Sequence, residues 1–472
     1  MSRQKIFGLV VLGCLLLSGS PILAETCYLV LSCAPDKPFH PVQCDASTCK
    51  DSSGSDAIPR VTMFVENHGW DVYPSNRFPK ILMPVDFHRA WLEFNDAGHA
   101  FDAQQKMAIL QKIEELKKSE RPLLVVIFVH GWHNNADNRD PETDLSRNAV
   151  KFDYFIARQA DQARRLFEQR GIAKWPAVLG IYVGWRGDSL TTPGLRKLTI
   201  GNRADTANRL ASNRDQTTDL YPSLTDIAAA LRKADPNGRL IVIGHSLGGR
   251  ILSRLFLDDL ARGNDQPLGK NSLLVALEPA IGADCFDRIL GPKHTGKAGP
   301  PTFLSLTSRN DESVSWIYHA ASFLIPDCDN SSSARGVTVG NYDAYLTHKL
   351  VYDGYHDTNV SSEELAASFP SSNSPNNWFE ILGKNIVTYK MRDVRCTGAG
   401  VEDCYVPDAQ VYAMKFQPLD NVSRAGPVWN VLSDASVVGL TNDPGTINAH
   451  HNGYISTNLT RALIELLYVR TP

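Results

Sequence analysis

Short apolar runs recur along the chain and predict the strands of a buried sheet. The most apolar of them, Leu123–Val129, follows Pro122 and contains seven consecutive apolar, largely β-branched residues. Such a run is typical of a parallel strand that helices cover on both faces. Further runs of this kind lie at 177–183, 240–243, 273–277 and 303–306, and residues 89–94 alternate between polar and apolar as in a half-buried strand.

Between these runs, apolar residues recur at helical spacing. Asp102, followed three residues later by Gln105, has the pattern of an N-cap and predicts a helix that continues to about Leu116. The same periodicity predicts helices at about 150–167, 223–231, 247–260 and 459–467. Strands that alternate with helices indicate βαβ units. We therefore predict an α/β fold with a mostly parallel sheet flanked by helices.

The N-terminus has the three-part pattern of a secretory signal peptide. Arg3 and Lys5 precede an apolar run over residues 6–17, and a Ser/Gly/Pro break then leads to a small residue at Ala24. The run is short for a permanent membrane span, and it has no amphipathic stripe that would favour a buried helix. We predict cleavage near Ala24 and a secreted or periplasmic protein without a stable membrane span.

Cysteine usage agrees with export. Eight of the nine cysteines follow Ala24, and an even number in an exported chain favours disulfides. Four of them crowd into residues 25–57 and predict a disulfide-rich N-terminal segment; zinc is the alternative, although paired Cys knuckles are missing there. These four are Cys27, Cys33, Cys44 and Cys49. Proximity in sequence suggests Cys396–Cys404 and Cys285–Cys328 pairs.

The remaining totals set broad limits. The formal net charge is -3, and this argues against nucleic acid or an anionic membrane as the main partner. After residues 1–24 and 25–57, we assign 58–472 to a single α/β domain. Residues 315–441 are predicted to form an insertion or cap within it.

The principal chemical motif is Gly244-His245-Ser246-Leu247-Gly248. It follows a β-branched strand and precedes a helix, which is the setting that a nucleophile elbow requires. The flanking glycines permit a close approach that a Cβ would obstruct. We predict Ser246 as a nucleophile; the alternative is a Gly-rich turn that only packs the helix on the sheet.

A serine nucleophile needs oxyanion donors, because a negative oxygen develops during attack. The loop after the buried strand begins with His130-Gly131-Trp132, and it suits one backbone donor. We predict that the donors are the N–H groups of Trp132 and Leu247. His130 itself is better interpreted as a structural residue that binds the loop backbone.

The acid and the base are sought in the chain order Ser, acid, His. Asp311 follows the strand at 303–306 and is the predicted acid, with Glu312 and Glu278 as rivals. The predicted base is His451, in a polar loop before the last helix, and its neighbour His450 is the main alternative. Three other histidines also fit the chain order: His319, His348 and His356.

Four stretches together resemble bacterial secreted esterase/lipase-like members of the α/β-hydrolase superfamily. They are 91–98, 128–135, 182–187 and 244–249. The resemblance extends from about residue 85 to 315 and resumes around His451, where a His-Asn pair supports that residue as the base. It implies an α/β-hydrolase fold and hydrolysis of a small-molecule or lipid ester without a metal or organic cofactor.

Two alternatives stay open at this point. An acyltransferase would differ only in the second nucleophile, and a non-catalytic binding protein would keep the fold without the reaction. A lipid substrate would favour an apolar lid, although a core helix explains the same residues equally well. The lid candidates are Trp316, Ile317, Tyr318, Phe323, Leu324 and Ile325.

Overall fold

The computed structural model describes the chain from Phe87 onward, with gaps. The described residues are 87–132, 134, 148–187, 200–212, 218–291, 300–309, 311, 318, 328, 336–356, 387–389, 411–419, 426–433, 438, 451 and 457–469. The predicted signal peptide, the Cys-rich segment and the Cys396–Cys404 pair lie outside the described residues.

Ten strands form one sheet. They are β1 (Phe87–Glu93), β2 (Leu123–Val129), β3 (Ala177–Gly184), β4 (Arg239–His245), β5 (Ser272–Leu277), β6 (Phe303–Ser308), β7 (His348–His356), β8 (Val387–Tyr389), β9 (Val411–Pro418) and β10 (Val428–Ser433). Their order in the sheet is β1-β3-β2-β4-β5-β6-β10-β7-β9-β8. The first eight in this order pair in parallel, and β9 pairs antiparallel with both β7 and β8.

Helices connect and cover these strands. They are α1 (Ala103–Lys117), α2 (Asn148–Gln169), α3 (Ile200–Leu210), α4 (Leu220–Ala234), α5 (Leu247–Ala261), the short α6 (Asp287–Leu290) and α7 (Thr457–Val469). Within the described part of the chain, no helix combines the length and the apolar character needed to cross a bilayer.

The sheet is the middle layer of three. Along β2, Val125, Ile127 and Val129 pack into a core that also contains α1, α3, α4 and α5. The alternate residues of the same strand, Leu124 and Phe128 among them, pack against α2 and α7 on the other face. Both faces of β2 are therefore buried, as the continuous apolar run predicts, and the predicted α/β class with a parallel sheet is confirmed.

At the start of α1, the two residues of the predicted N-cap pattern, Asp102 and Gln105, have different roles. Asp102 is the N-cap, and its Oδ1 accepts a 2.7 Å hydrogen bond from the N–H of Gln104. Gln105 does not complete a capping box. Its side chain is buried and exchanges two hydrogen bonds with Glu93, one with the backbone N–H at 2.8 Å and one with the carboxylate at 2.9 Å. It thereby fixes α1 to the end of β1.

Segment 315–441 contributes four strands, β7 to β10, to the sheet. β10 lies between β6 and β7, and Trp429 on β10 stacks on His348 of β7 with ring centroids 3.9 Å apart. At least these parts of the segment therefore extend the sheet. The other residues of the predicted cap lie mostly outside the described residues, and the proposed domain boundaries stay a prediction.

A disulfide joins Cys285 and Cys328, which are 43 residues apart in sequence. Cys285 lies in a short 3-10 helix, Ala283–Phe286, just after β5. The bond ties this turn to the region that follows β6. The pair that sequence proximity suggested is thus confirmed.

Candidate active site

The candidate site lies where the strand order reverses. The chain runs from β2 outward to β3 and then returns to the other side of β2 to form β4. In parallel sheets, the crevice beyond the carboxyl ends at such a switch point is the usual ligand position. Gly131 follows β2 and Ser246 follows β4, so the two loops that the sequence singled out meet at this crevice.

Ser246 occupies a strained backbone conformation between β4 and α5. Its φ is 56° and its ψ is -118°, a region that residues with a side chain rarely adopt. Neighbouring backbone holds it there, because its N–H donates to Leu277 O at 2.9 Å and its C=O accepts from the N–H groups of Arg250 and Ala280. This strand-turn-helix geometry is the one the motif predicts for a nucleophile.

The glycines around Ser246 are required by packing. A Cβ at Gly248 would lie 2.0 Å from Val129 O, and one at Gly244 would lie 2.3 Å from Gly248 O. A Cβ at Gly131 would lie 2.7 Å from the Cβ of Ser246. The turn, the end of β2 and the following loop therefore lie close to one another only because these positions lack side chains.

Asp311 and His451 are brought together, as predicted. His451 Nδ1 and Asp311 Oδ2 are 2.6 Å apart, and the Asp311 side chain is fully buried. Burial lowers the pKa of His451, but the carboxyl groups of Asp311 and Glu278 outweigh it and raise that pKa above its usual value. Asp311 therefore fixes the orientation of the ring and stabilises its charged form.

Glu278 lies on the other side of the same nitrogen. It follows β5, is fully buried, and places Oε2 at 3.4 Å from His451 Nδ1. Glu278 is the alternative to Asp311 that the sequence offers, and the structure brings both carboxyl groups to the imidazole, with Asp311 the nearer. Burial, followed by the charge of Asp311, raises the pKa of Glu278 well above its usual range.

His245, directly before Ser246, is a site neighbour that sequence reasoning passed over. Its Nε2 lies 2.7 Å from the backbone oxygen of His451, so this nitrogen carries the proton and donates. The two imidazole rings lie 4.6 Å apart. His245 thus anchors the backbone of His451 beside the Ser246 turn. The position of His245 inside the motif, directly before Ser246, is the sequence feature that could have identified it as a site residue.

His130 is structural, as the sequence favoured. Its Nε2 accepts a 3.1 Å hydrogen bond from the N–H of Trp185, so the proton is on Nδ1, which donates to Gly131 O at 2.9 Å. The ring is fully buried and stacks between Trp185 and Tyr182. With both nitrogens engaged, His130 shapes the loop after β2.

The two predicted oxyanion donors begin the elements that border the crevice. Leu247 is the first residue of α5, so its N–H is one of those that a helix leaves without an internal partner. Trp132 is half-buried against the core, and its C=O accepts a 2.9 Å hydrogen bond from the Asn134 side chain. Their role as donors stays a prediction.

Other residues considered from the sequence lie elsewhere. His348 is buried in the sheet, where its Nδ1 contacts Thr347 Oγ1 at 2.9 Å, and burial lowers its pKa to about 3. Tyr318 is buried in the core. The side chain of His356 is not described. The remaining alternatives lie outside the described residues; they are Glu312, His319, His450 and the other lid candidates.

Two of the stretches that carry the family resemblance meet in an ion-pair network between a partly buried carboxylate and two buried arginines. Asp96, in the turn after β1, binds Arg186, which follows β3. Arg203 of α3 is fully buried and lies 3.2 Å from Asp96, while it also donates to Arg186 O at 2.9 Å. This network joins the loops after β1 and β3, so these residues support the shape of the sheet edge.

His245, Glu278 and His451 have possible metal-binding atoms within 4.8 Å of one another. However, Asp311 already binds Nδ1 of His451, and the backbone oxygen of His451 binds Nε2 of His245. One ring nitrogen of each histidine is therefore engaged within the protein.

The class of protein that the described residues define is an α/β protein with a strained serine and a buried Asp–His pair at the carboxyl edge of its sheet. Neither protein-family models nor curated proteins match the sequence. Among solved structures, phospholipase PlaB from Legionella pneumophila in complex with thio-NAD is similar to part of the chain, with 15% sequence identity and a TM-score of 0.24. The match covers 49% of this chain and 47% of that one, so the chain spans about half the length of that protein.

Proposed function

We propose that this protein is a serine hydrolase of the α/β-hydrolase type that cleaves carboxylic esters through an acyl-enzyme on Ser246. One observation carries the proposal: the strained Ser246 follows His245, whose ring lies 4.6 Å from the ring of His451, and Nδ1 of His451 is bound by the buried Asp311 at 2.6 Å. An imidazole held in this way keeps its other nitrogen for proton transfer, as in a Ser-His-Asp triad.

In the first step, Ser246 Oγ attacks the carbonyl carbon of the ester while Nε2 of His451 takes the hydroxyl proton. The tetrahedral intermediate then collapses as the C–O bond to the alcohol breaks. His451 gives its proton to that alcohol, which leaves. The acyl group is now an ester of Ser246, and the imidazole is neutral again.

In the second step, a water molecule attacks the acyl carbon and gives one proton to His451. The bond to Ser246 Oγ breaks, and the proton returns to that oxygen. The products are a carboxylic acid and the original serine. Asp311 remains ionised throughout and stabilises the imidazolium that forms in each half-reaction.

The oxyanion of both intermediates requires hydrogen-bond donors. We assign these to the N–H groups of Leu247 and Trp132, one at the start of α5 and one in the loop after β2. The close approach of Gly131 to Ser246 supports this assignment, because it brings the loop backbone against the turn that presents the nucleophile.

We further propose that the protein acts outside the cytoplasm, after cleavage of the signal peptide near Ala24. The disulfide between Cys285 and Cys328 supports this location, since such bonds persist in oxidising compartments. The proposed substrates are small-molecule or lipid esters.

The test is hydrolysis of a p-nitrophenyl ester series of increasing acyl length by the oxidised protein. Ser246→Ala should abolish turnover. Ser253→Ala is the matched control, because Ser253 lies on the same helix and its buried hydroxyl only donates to Gly249 O at 2.8 Å. Equal turnover by wild type and Ser246→Ala would refute the proposal.

A further inference from the structure

Two buried carboxyl groups converge on one imidazole nitrogen in this site. Asp311 lies 2.6 Å and Glu278 lies 3.4 Å from Nδ1 of His451, and both carboxyl side chains are essentially fully buried. A Ser-His-Asp triad uses a single carboxylate at this nitrogen. The proposed mechanism therefore gives the second carboxyl group, that of Glu278, no role.

Glu278 is held firmly in this place. Its φ of 44° is a left-handed value that is unusual for a residue with a side chain. Its N–H donates to Leu306 O at 2.8 Å, so the end of β5 is fixed to the neighbouring strand β6. Asp311 follows the same strand β6, and this strand pairing brings the two carboxyl groups together.

Two ionised carboxylates in such a site repel each other, and burial penalises both charges. The imidazolium supplies only one positive charge, and neither oxygen of Glu278 makes a hydrogen bond of normal geometry to a described residue. One proton between the carboxyl groups removes the repulsion and gives Glu278 a donor. An oxygen of each carboxyl group lies within 3.4 Å of the same nitrogen, His451 Nδ1, which places the Asp311 and Glu278 carboxyl groups side by side.

We propose that Glu278 is a positioning residue that keeps a proton and donates it towards Asp311, so that His451 faces one negative charge rather than two. This inference rests on the proposed function, in which His451 is the base. The proton limits how strongly the site favours imidazolium, and the neutral imidazole that must accept the Ser246 proton therefore stays accessible.

The titratable groups that face Glu278 come from three elements. They are Asp311 after β6, His451 before α7 and His245 at the end of β4, as far as the described residues extend. Burial and the charge of Asp311 both raise the pKa of Glu278, whereas His451 alone lowers it. The direction agrees with a protonated Glu278 at neutral pH.

A first test measures the proton without catalysis. Infrared spectra of the folded wild-type protein at neutral pH should contain the C=O band of a protonated carboxylic acid. The band should shift on 13C labelling of glutamate, vanish in Glu278→Gln and persist in Glu168→Gln, an exposed control on α2. A missing band, or one that shifts only with aspartate labelling, would overturn the proposal.

A second test uses the acid limb of the pH profile of kcat/KM. Glu278→Gln should move this limb little when Asp311 is present. In an Asp311→Asn background Glu278 becomes the ionised partner, so adding Glu278→Gln should lower the midpoint by about one to three pH units. Equal shifts in both backgrounds, or none in either, would contradict the proposal. If Ser246 is not the nucleophile, the kinetics fail while the infrared result still stands.

Discussion

The contact between the Ser246 turn and the end of β2 can be tested at Gly248. A Cβ built at this position lies 2.0 Å from Val129 O and 2.7 Å from His130 O, and both are backbone atoms. Since non-bonded heavy atoms are normally about 3.5 Å apart, Gly248→Ala requires a backbone displacement of about 1 Å or more. That displacement separates Ser246, the proposed nucleophile, from the loop that is proposed to supply an oxyanion donor.

The expected cost follows from this displacement. Overpacking at a rigid contact lowers the free energy of unfolding by about 1–3 kcal/mol. Replacing a helical glycine by alanine returns about 1 kcal/mol of that loss. A misplacement of about 1 Å in a catalytic site lowers the rate by about 100-fold. Activity should therefore fall much more than stability.

Gly249→Ala is the matched comparison, because it changes the next residue of the same helical turn. Its nearest contacts are Pro279 Cβ at 2.9 Å and Pro279 Cα at 3.0 Å, so the required displacement is smaller. The assay is kcat/KM on a p-nitrophenyl ester beside denaturant unfolding. Wild-type kcat/KM in Gly248→Ala, or a larger loss in Gly249→Ala, would refute the described contact.

Three further predictions concern pH, the oxyanion and the disulfide. Because the pKa of His451 is raised, kcat/KM should increase with pH to a midpoint above about 6.5. The stability that this ion pair contributes is complete below about 6.5 and is lost as pH rises through the raised pKa. Kinetics and unfolding measured over the same pH series would contradict this if kcat/KM and stability rose together. Trp132→Pro removes a backbone N–H and should lower kcat by about 10²–10³-fold relative to Trp132→Ala, and equal rates would exclude this donor. Replacing both Cys285 and Cys328 by Ser should lower the free energy of unfolding by about 2–4 kcal/mol in denaturant melts, and no change would contradict a stabilising disulfide.

The interior of the sheet was predictable because its strands are apolar on both faces. The run at Leu123–Val129 matches β2 at both ends, and the Asp102 signal marks the start of α1. The motif at Ser246 also predicted its own surroundings, since a strand, a strained turn and a helix follow one another directly in the chain. The strand β2, the start of α1 and the turn at Ser246 could be predicted from local sequence because the local backbone and its neighbouring side chains determine them.

Elements at the other end of the sheet were not predicted. β7 contains His348, Lys349 and Asp353, and β10 contains Asn430, so neither has a continuous apolar run. Helix α3 is rich in polar residues, and its buried face includes Arg203 and small side chains. Their packing depends on partners that are distant in sequence, and the periodicity of the segment alone does not reveal it.

The candidate site likewise contains residues that local sequence predicts and residues that it does not. Ser246, Asp311 and His451 were predicted from local motifs and chain order. The convergence of Glu278 with Asp311 was not, because it depends on β5 and β6 being neighbours, and strand order cannot be deduced from hydrophobic pattern. His245 was missed as an anchor for His451 for the same reason, since its partner lies 206 residues further along the chain.

The central claim is that Ser246 is an activated nucleophile. The most direct measurement is reaction of the folded, oxidised protein with a fluorophosphonate probe, followed by mass spectrometry of the labelled peptide. We predict one label per chain on Ser246, lost in Ser246→Ala and in denatured protein and retained in Ser253→Ala. Absence of labelling, or labelling that persists in Ser246→Ala, would contradict the account.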